Sequence, residues 1–166
     1  MSLFLFFIFP MTMIMAALSD LVSLKIPNSL SIILVATFGP LAYLAGLPLE
    51  AVLTSFAAGA AILMLGFMLF AMGTLGGGDA KLMAAASVWI GSASLPTFCL
   101  YVALIGGILA ASILVFRRLP NAMLITGTSS AIRLHQKGRG IPYGIAIAGA
   151  EMLTMPKTEL YALVAL

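Results

Sequence analysis

Charge is what this sequence has least of. Only 8% of its 166 residues are charged, while 63% are hydrophobic. A soluble domain needs roughly a quarter of its residues charged to keep its surface in water, so this composition excludes one and points to an integral membrane protein. Cysteine is equally scarce. Cys99 stands alone, which excludes an intramolecular disulfide and a cysteine-rich zinc module and leaves it a packing role in a helix. The single histidine, His135, sits in a basic loop and reads as solvated. No Lys or Arg precedes the first apolar run, MSLFLFFIFPMTMIMAALSD, so it reads as a retained span and not as a secretory signal. The apolar runs do not alternate with polar residues, which argues against an outer-membrane barrel. A net charge of +3 invites a nucleic-acid reading, but the basic residues lie in loops between spans, and topology explains them without a nucleic-acid partner.

What is present is a series of apolar runs separated by Gly, Pro and charge. They predict one all-α domain over 1–166, a polytopic bundle of about six transmembrane helices at approximately 3–21, 29–46, 51–73, 80–95, 97–116 and 141–155. The fourth is short for a crossing, and Glu151 and Pro156 interrupt the sixth. Basic residues resist translocation, so their loops mark the cytoplasm. Lys25, Lys81, Arg117, Arg118, Arg133, Lys137 and Arg139 fall on one side, and Lys157 alone on the other. Both termini are then expected outside the cytoplasm, in contact with the bilayer along most of the chain.

This layout places Asp20 at the cytoplasmic end of span one and Asp79 at the cytoplasmic start of span four. They are the only aspartates in the chain. Carboxylates near a low-dielectric boundary are costly unless paired, solvated or functional. If their helices touch, repulsion and desolvation favour one proton shared by the pair, as an aspartic protease requires: one carboxylate takes a proton from water while the other, protonated, polarises the scissile carbonyl. Asp79 follows three glycines, in LGGGDAKLMAA, and these allow a backbone to approach it closely. A second reading stays open at this point, because an Asp after a glycine turn is also an ordinary helix cap, and Asp20 could merely mark a span's end.

Three stretches taken together, SDLVSLKIPN around Asp20, LGGGDAKLMAA around Asp79 and GIPYGIAIA at 140–148, resemble the type IV prepilin peptidases, membrane aspartic peptidases with a G-x-G-D motif. The small size is similar to the Flp/Tad-pilus branch. The resemblance implies that Asp20 and Asp79 are the catalytic pair, that Gly76 and Gly78 are the glycines of G-x-G-D, and that Lys81, Pro142, Tyr143 and Gly144 shape the site or hold substrate. It implies an endopeptidase without metal or cofactor, set in the bacterial inner membrane with its site at the cytoplasmic face. Its substrates would be prepilins or pseudopilins with short basic leaders, and pilus-assembly proteins are candidate partners. Larger members carry paired C-x-x-C motifs and also methylate the product; with only Cys99 here, no methyltransferase step is expected.

Two other function classes compete. Ion or proton transport would favour acids near mid-membrane and internal repeats, whereas the aspartates cluster at one face and no repeat is evident. A scaffold subunit of a secretion assembly would have no need of both aspartates. Among lesser features, Glu151 is buried by hydropathy and reads either as a proton or structural partner or, in preference, as a residue facing the interface opposite the aspartates, and Gly107 and Ala111 form a small-xxx-small pair suited to close helix packing. Tyr143 reads either as a donor near the site or as an interfacial aromatic. The eleven methionines read as adaptable packing.

Overall fold

The computed structural model describes residues 7–118, 132, 134–136 and 140–165, and among them every regular element is helical. In chain order these are α1 (Ile8–Ser23), α2 (Asn28–Leu44), α3 (Leu49–Ala71), α4 (Gly77–Phe116), α5 (Tyr143–Thr154), a 3₁₀ turn (Met155–Lys157) and α6 (Glu159–Ala165). Residues 1–6, which include the start of the first expected span, and Arg133, Lys137 and Arg139 of the basic loop, lie outside the described residues.

The 40-residue α4 is two helices in succession. Gly91, with φ 75 and ψ 165, breaks it into an arm α4a (77–90) and an arm α4b (92–116). That backbone conformation is open to glycine and very costly for other residues. The arms run in opposite directions, as the partners of α4b show. Ser94 Oγ donates to the Lys157 carbonyl at 3.2 Å, Lys157 Nζ donates to Tyr101 Oη at 3.2 Å, and the Arg117 guanidinium reaches the Gly140 carbonyl at 3.2 Å, so α4b lies antiparallel to α5 and its following turn. The expected fourth and fifth spans are therefore separate, but the chain turns at Gly91 and Pro96 lies inside α4b.

α3 and α4 are long and apolar enough to cross a membrane, and only 28% and 17% of their most apolar windows are buried. A core helix of a soluble protein would be mostly buried. Here Met64, Phe67, Met68, Leu104 and Ile108 face outward instead, an apolar belt that water would not tolerate at this extent.

α4a is the central post, with residues 84–90 buried without interruption. In lipid, helices associate through close packing more than through the hydrophobic effect, and α3 presents glycines to α4a for that purpose. A Cβ on Gly66 would stand 2.9 Å from the Ala80 Cβ, and one on Gly59 would stand 3.1 Å from the Ala84 carbonyl oxygen. On the other flank, Trp89 stacks on Phe9 of α1 at 4.7 Å and meets Phe38 of α2 edge-on at 5.8 Å. The Trp89 indole N–H donates to the Leu34 carbonyl at 2.8 Å, a bond worth about 1 kcal/mol net. The Gly107 and Ala111 expectation is not met. A Cβ on Gly107 would meet nothing within 4 Å among the described residues, and the packing glycine is its neighbour Gly106, whose face lies against the Tyr143 ring.

Candidate active site

Asp20 lies on the last turn of α1, and the chain beyond it is tied down. Leu24 adopts the left-handed conformation (φ 53, ψ 34), and its N–H caps the Asp20 carbonyl at 2.8 Å. Ser19 Oγ donates to the Lys25 carbonyl at 2.9 Å. Pro27 disfavours a helical Ile26, so α1 cannot run on and α2 starts afresh at Asn28. This turn carries Ile26 against the start of α4a, where a Cβ on Gly78 would sit 3.2 Å from the Ile26 Cβ. Gly78 is thus spared a side chain because two backbones meet there.

α4a begins at Gly77 with Gly76 at its N-cap, which puts Asp79 in the first helical turn. Its Oδ2 turns back over Gly76, where a Cβ would stand 2.5 Å away, while its Oδ1 is buried with no hydrogen-bond partner. The cap reading of Asp79 is met only in part. An acid in the first turn complements the helix dipole, but the capping position belongs to Gly76, and a carboxylate oxygen is left bare.

Asp20 and Asp79, 5% and 9% exposed, line one cleft of about 310 Å³. The turn after α1, Asn28 and the three glycines 76–78 form its walls. The two charges are near enough to repel each other. Asp20 is held from the third side by α5. The Gly144 N–H donates to Asp20 Oδ2 at 2.7 Å, and a Cβ at Gly144 would lie 2.9 Å from that oxygen and 3.0 Å from the Asp20 Cβ. Helix α5 comes this close only because residue 144 is glycine. Buried Pro142, immediately before α5, fixes the chain's entry into that helix.

The other expected site residues are close by without lining the cleft. Lys81 is exposed, and its Nζ donates to Asn28 Oδ1 at 3.1 Å. The Tyr143 ring is turned onto Gly106 of α4b, so among the described residues it acts as a packing aromatic. Asn28, given no role of its own by the sequence, lines the cleft. His135 packs edge-on against Phe116 at 5.3 Å. Glu151 corrects an expectation, since it is fully buried in α5 and not at an interface, with neither carboxylate oxygen hydrogen-bonded.

Two buried carboxylates converging from different helices on a cleft walled by glycine form an arrangement for acid and base chemistry on a backbone. The sequence profile of the type IV leader peptidase family matches residues 7–111 of the chain. The chain belongs to the type IV leader peptidase family. The matched stretch contains Asp20, Gly76, Gly78, Asp79 and Lys81, whereas Pro142, Tyr143 and Gly144 lie beyond it. As a member of a peptidase family, the chain has in this cleft a candidate place for peptide-bond hydrolysis. Searches of the curated proteins and of the solved structures found no match to it.

Proposed function

We propose that this family member is an aspartic endopeptidase that removes the short basic leader of Flp-type prepilins or pseudopilins at the cytoplasmic face of the bacterial inner membrane. The observation that carries the reading is the convergence of the chain's only two aspartates, from α1 and α4a, in one cleft at one end of the bundle. Water held between them gives a proton to the ionised carboxylate and attacks the scissile carbonyl carbon, while the protonated carboxyl donates to the carbonyl oxygen. The tetrahedral intermediate collapses as the C–N bond breaks, the leaving nitrogen takes a proton, and a carboxylate and an amine separate. No metal, cofactor or covalent enzyme intermediate enters these steps.

α1, α2, α3, α4a, α4b and α5 cross the bilayer alternately in this proposal, with both termini outside the cytoplasm. The alternation of chain direction supports it, and so do Lys25, Lys81, Arg117 and Arg118 at the cleft end against Lys157 at the other. A leader held in the cytoplasm by its own basic residues would then reach the cleft directly. The proposal assigns no methyl transfer to these residues, and pilus-assembly proteins remain candidate partners.

Co-expression with a Flp-type prepilin tests the reading. Wild type is expected to shorten the prepilin, with a single new N-terminus found by sequencing. Asp20→Asn and Asp79→Asn, present in the membrane at wild-type abundance, are expected to leave it uncut. Processing by either variant would reject the aspartate mechanism.

A further inference from the structure

We propose that Asn28 binds substrate in the cleft, presenting its side-chain NH₂ to a backbone carbonyl of the peptide, and that Lys81 is the positioning residue that sets the orientation of that amide. The inference rests on the peptidase reading above and adds a peptide-holding group to the cleft that the glycines line.

The chemistry of the Lys81 contact fixes the direction of the amide. A lysine ammonium only donates hydrogen bonds, so the atom of Asn28 facing Lys81 Nζ at 3.1 Å must be the amide oxygen. Terminal amides are otherwise ambiguous between oxygen and nitrogen, and here the partner removes the ambiguity. With Oδ1 engaged, both N–H donors of Asn28 point elsewhere, and no group among the described residues accepts from them.

Position does the rest. Asn28 lines the same cleft as Asp20 and Asp79, yet its side chain is exposed. It is not a helix cap, because Pro27 occupies that place and α2 has no side-chain cap. A free donor pair at the rim of a cleft bounded by side-chain-free Gly76, Gly77 and Gly78 matches an extended peptide, whose carbonyls have no internal partners. The adjacent ammonium polarises the amide and strengthens its N–H groups as donors. The contact also ties the first residue of α2 to α4a across 53 positions of sequence, so it holds two walls of the cleft in register.

The test uses the purified full chain in detergent and a fluorescent peptide spanning a Flp-type prepilin cleavage site. Cleavage kinetics are measured for wild type, Asn28→Leu, Lys81→Met, Lys81→Arg and the Asn28→Leu/Lys81→Met double variant. Peptide binding is measured by anisotropy for the same set in an Asp79→Asn background, where no cleavage is needed. Leu keeps the approximate shape of Asn without its donors, and thermal melting of each variant checks folding. The proposal expects Asn28→Leu to raise KM and Kd about 10-fold, the loss of one good hydrogen bond, with kcat within about threefold. Lys81→Met is expected to raise both about threefold, Lys81→Arg to restore them, and the double variant to be no worse than Asn28→Leu alone.

KM and Kd within twofold of wild type for folded Asn28→Leu would overturn the inference and leave the peptidase reading untouched. Losses that multiply in the double variant would also overturn it, since Lys81 would then act independently of Asn28. Absence of cleavage by wild type, with binding still weakened by Asn28→Leu, would reject the peptidase reading while retaining the Asn28 contact.

Discussion

At one end of the bundle, a cleft of about 310 Å³ holds both aspartates; at the other, a cavity of about 380 Å³ opens where α4 breaks. The larger hollow is lined by Ser55, Ser92, Ser94, Glu50 and Glu159 around Gly91. It is roomy and also walled by Phe38, Trp89, Ile90 and Leu160, and its two acids are exposed. The smaller hollow buries both of its acids. Capacity for acid and base chemistry follows the confinement of paired carboxylates, not the size of the space.

Glycine also serves the two ends differently. Gly76, Gly77 and Gly78 have no positive φ, whereas Gly91 does. At the cleft, glycine is needed for the space a side chain would take; at the break, it is needed for a backbone conformation. Substitutions should therefore impair function at one end and stability at the other.

The largest expected effect of this kind is Gly144→Ala. Its Cβ would meet Asp20 Oδ2 at 2.9 Å and Ile26 Cδ1 at 3.2 Å, forcing α5 away and lengthening the Gly144 N–H contact to Asp20. Misplacing a catalytic group by a fraction of an ångström to an ångström can cost about 100-fold, so kcat/KM should fall by about that factor while helix content measured by circular dichroism is unchanged. Retained turnover would remove α5 from the site.

Gly91→Ala should do the reverse. A side chain at φ 75, ψ 165 costs about 1–3 kcal/mol, so the thermal midpoint in detergent should drop, while turnover per folded molecule stays within about twofold. If turnover fell with little change in stability, the two ends would be coupled and the contrast between them would fail.

The smallest effects sharpen the packing side of the comparison. Gly106→Ala would place its Cβ 2.8 Å from Tyr143 Cε1, while a Cβ on Gly107 meets nothing within 4 Å. Overpacking costs about 1–3 kcal/mol, whereas Ala in an exposed helical site gains up to about 1 kcal/mol over Gly. Melting of the two variants should therefore shift in opposite directions. A matching shift in both would mean that α4b does not pack through Gly106.

How much of this was legible in the sequence depended on whether charge or packing carried the signal. The common end of Asp20 and Asp79 followed from loops and basic residues alone, because charge is so rare here that its placement has few explanations. The all-helical order of the described residues up to α5 followed from apolar runs broken by Gly and Pro, whereas α6 did not. Facing was not legible. Apolar residues surround these helices on every side, so periodicity does not distinguish the face toward the bundle from the face toward lipid. That is why Gly106 and Gly107 could be confused and why a fully buried Glu151 was expected at an interface. Asn28 was overlooked for another reason. Its meaning comes from Lys81, 53 positions away, and no local pattern encodes that contact.

The most direct test of the central claim, that Asp20 and Asp79 form one catalytic unit, is the cleavage rate of purified chain in lipid vesicles for both single Asn variants and the double. The account predicts that each single variant loses at least about 1,000-fold and that the double loses no more than the worse single, because members of one unit are not additive. Losses that multiply in the double, or a single variant within about tenfold of wild type, would contradict it.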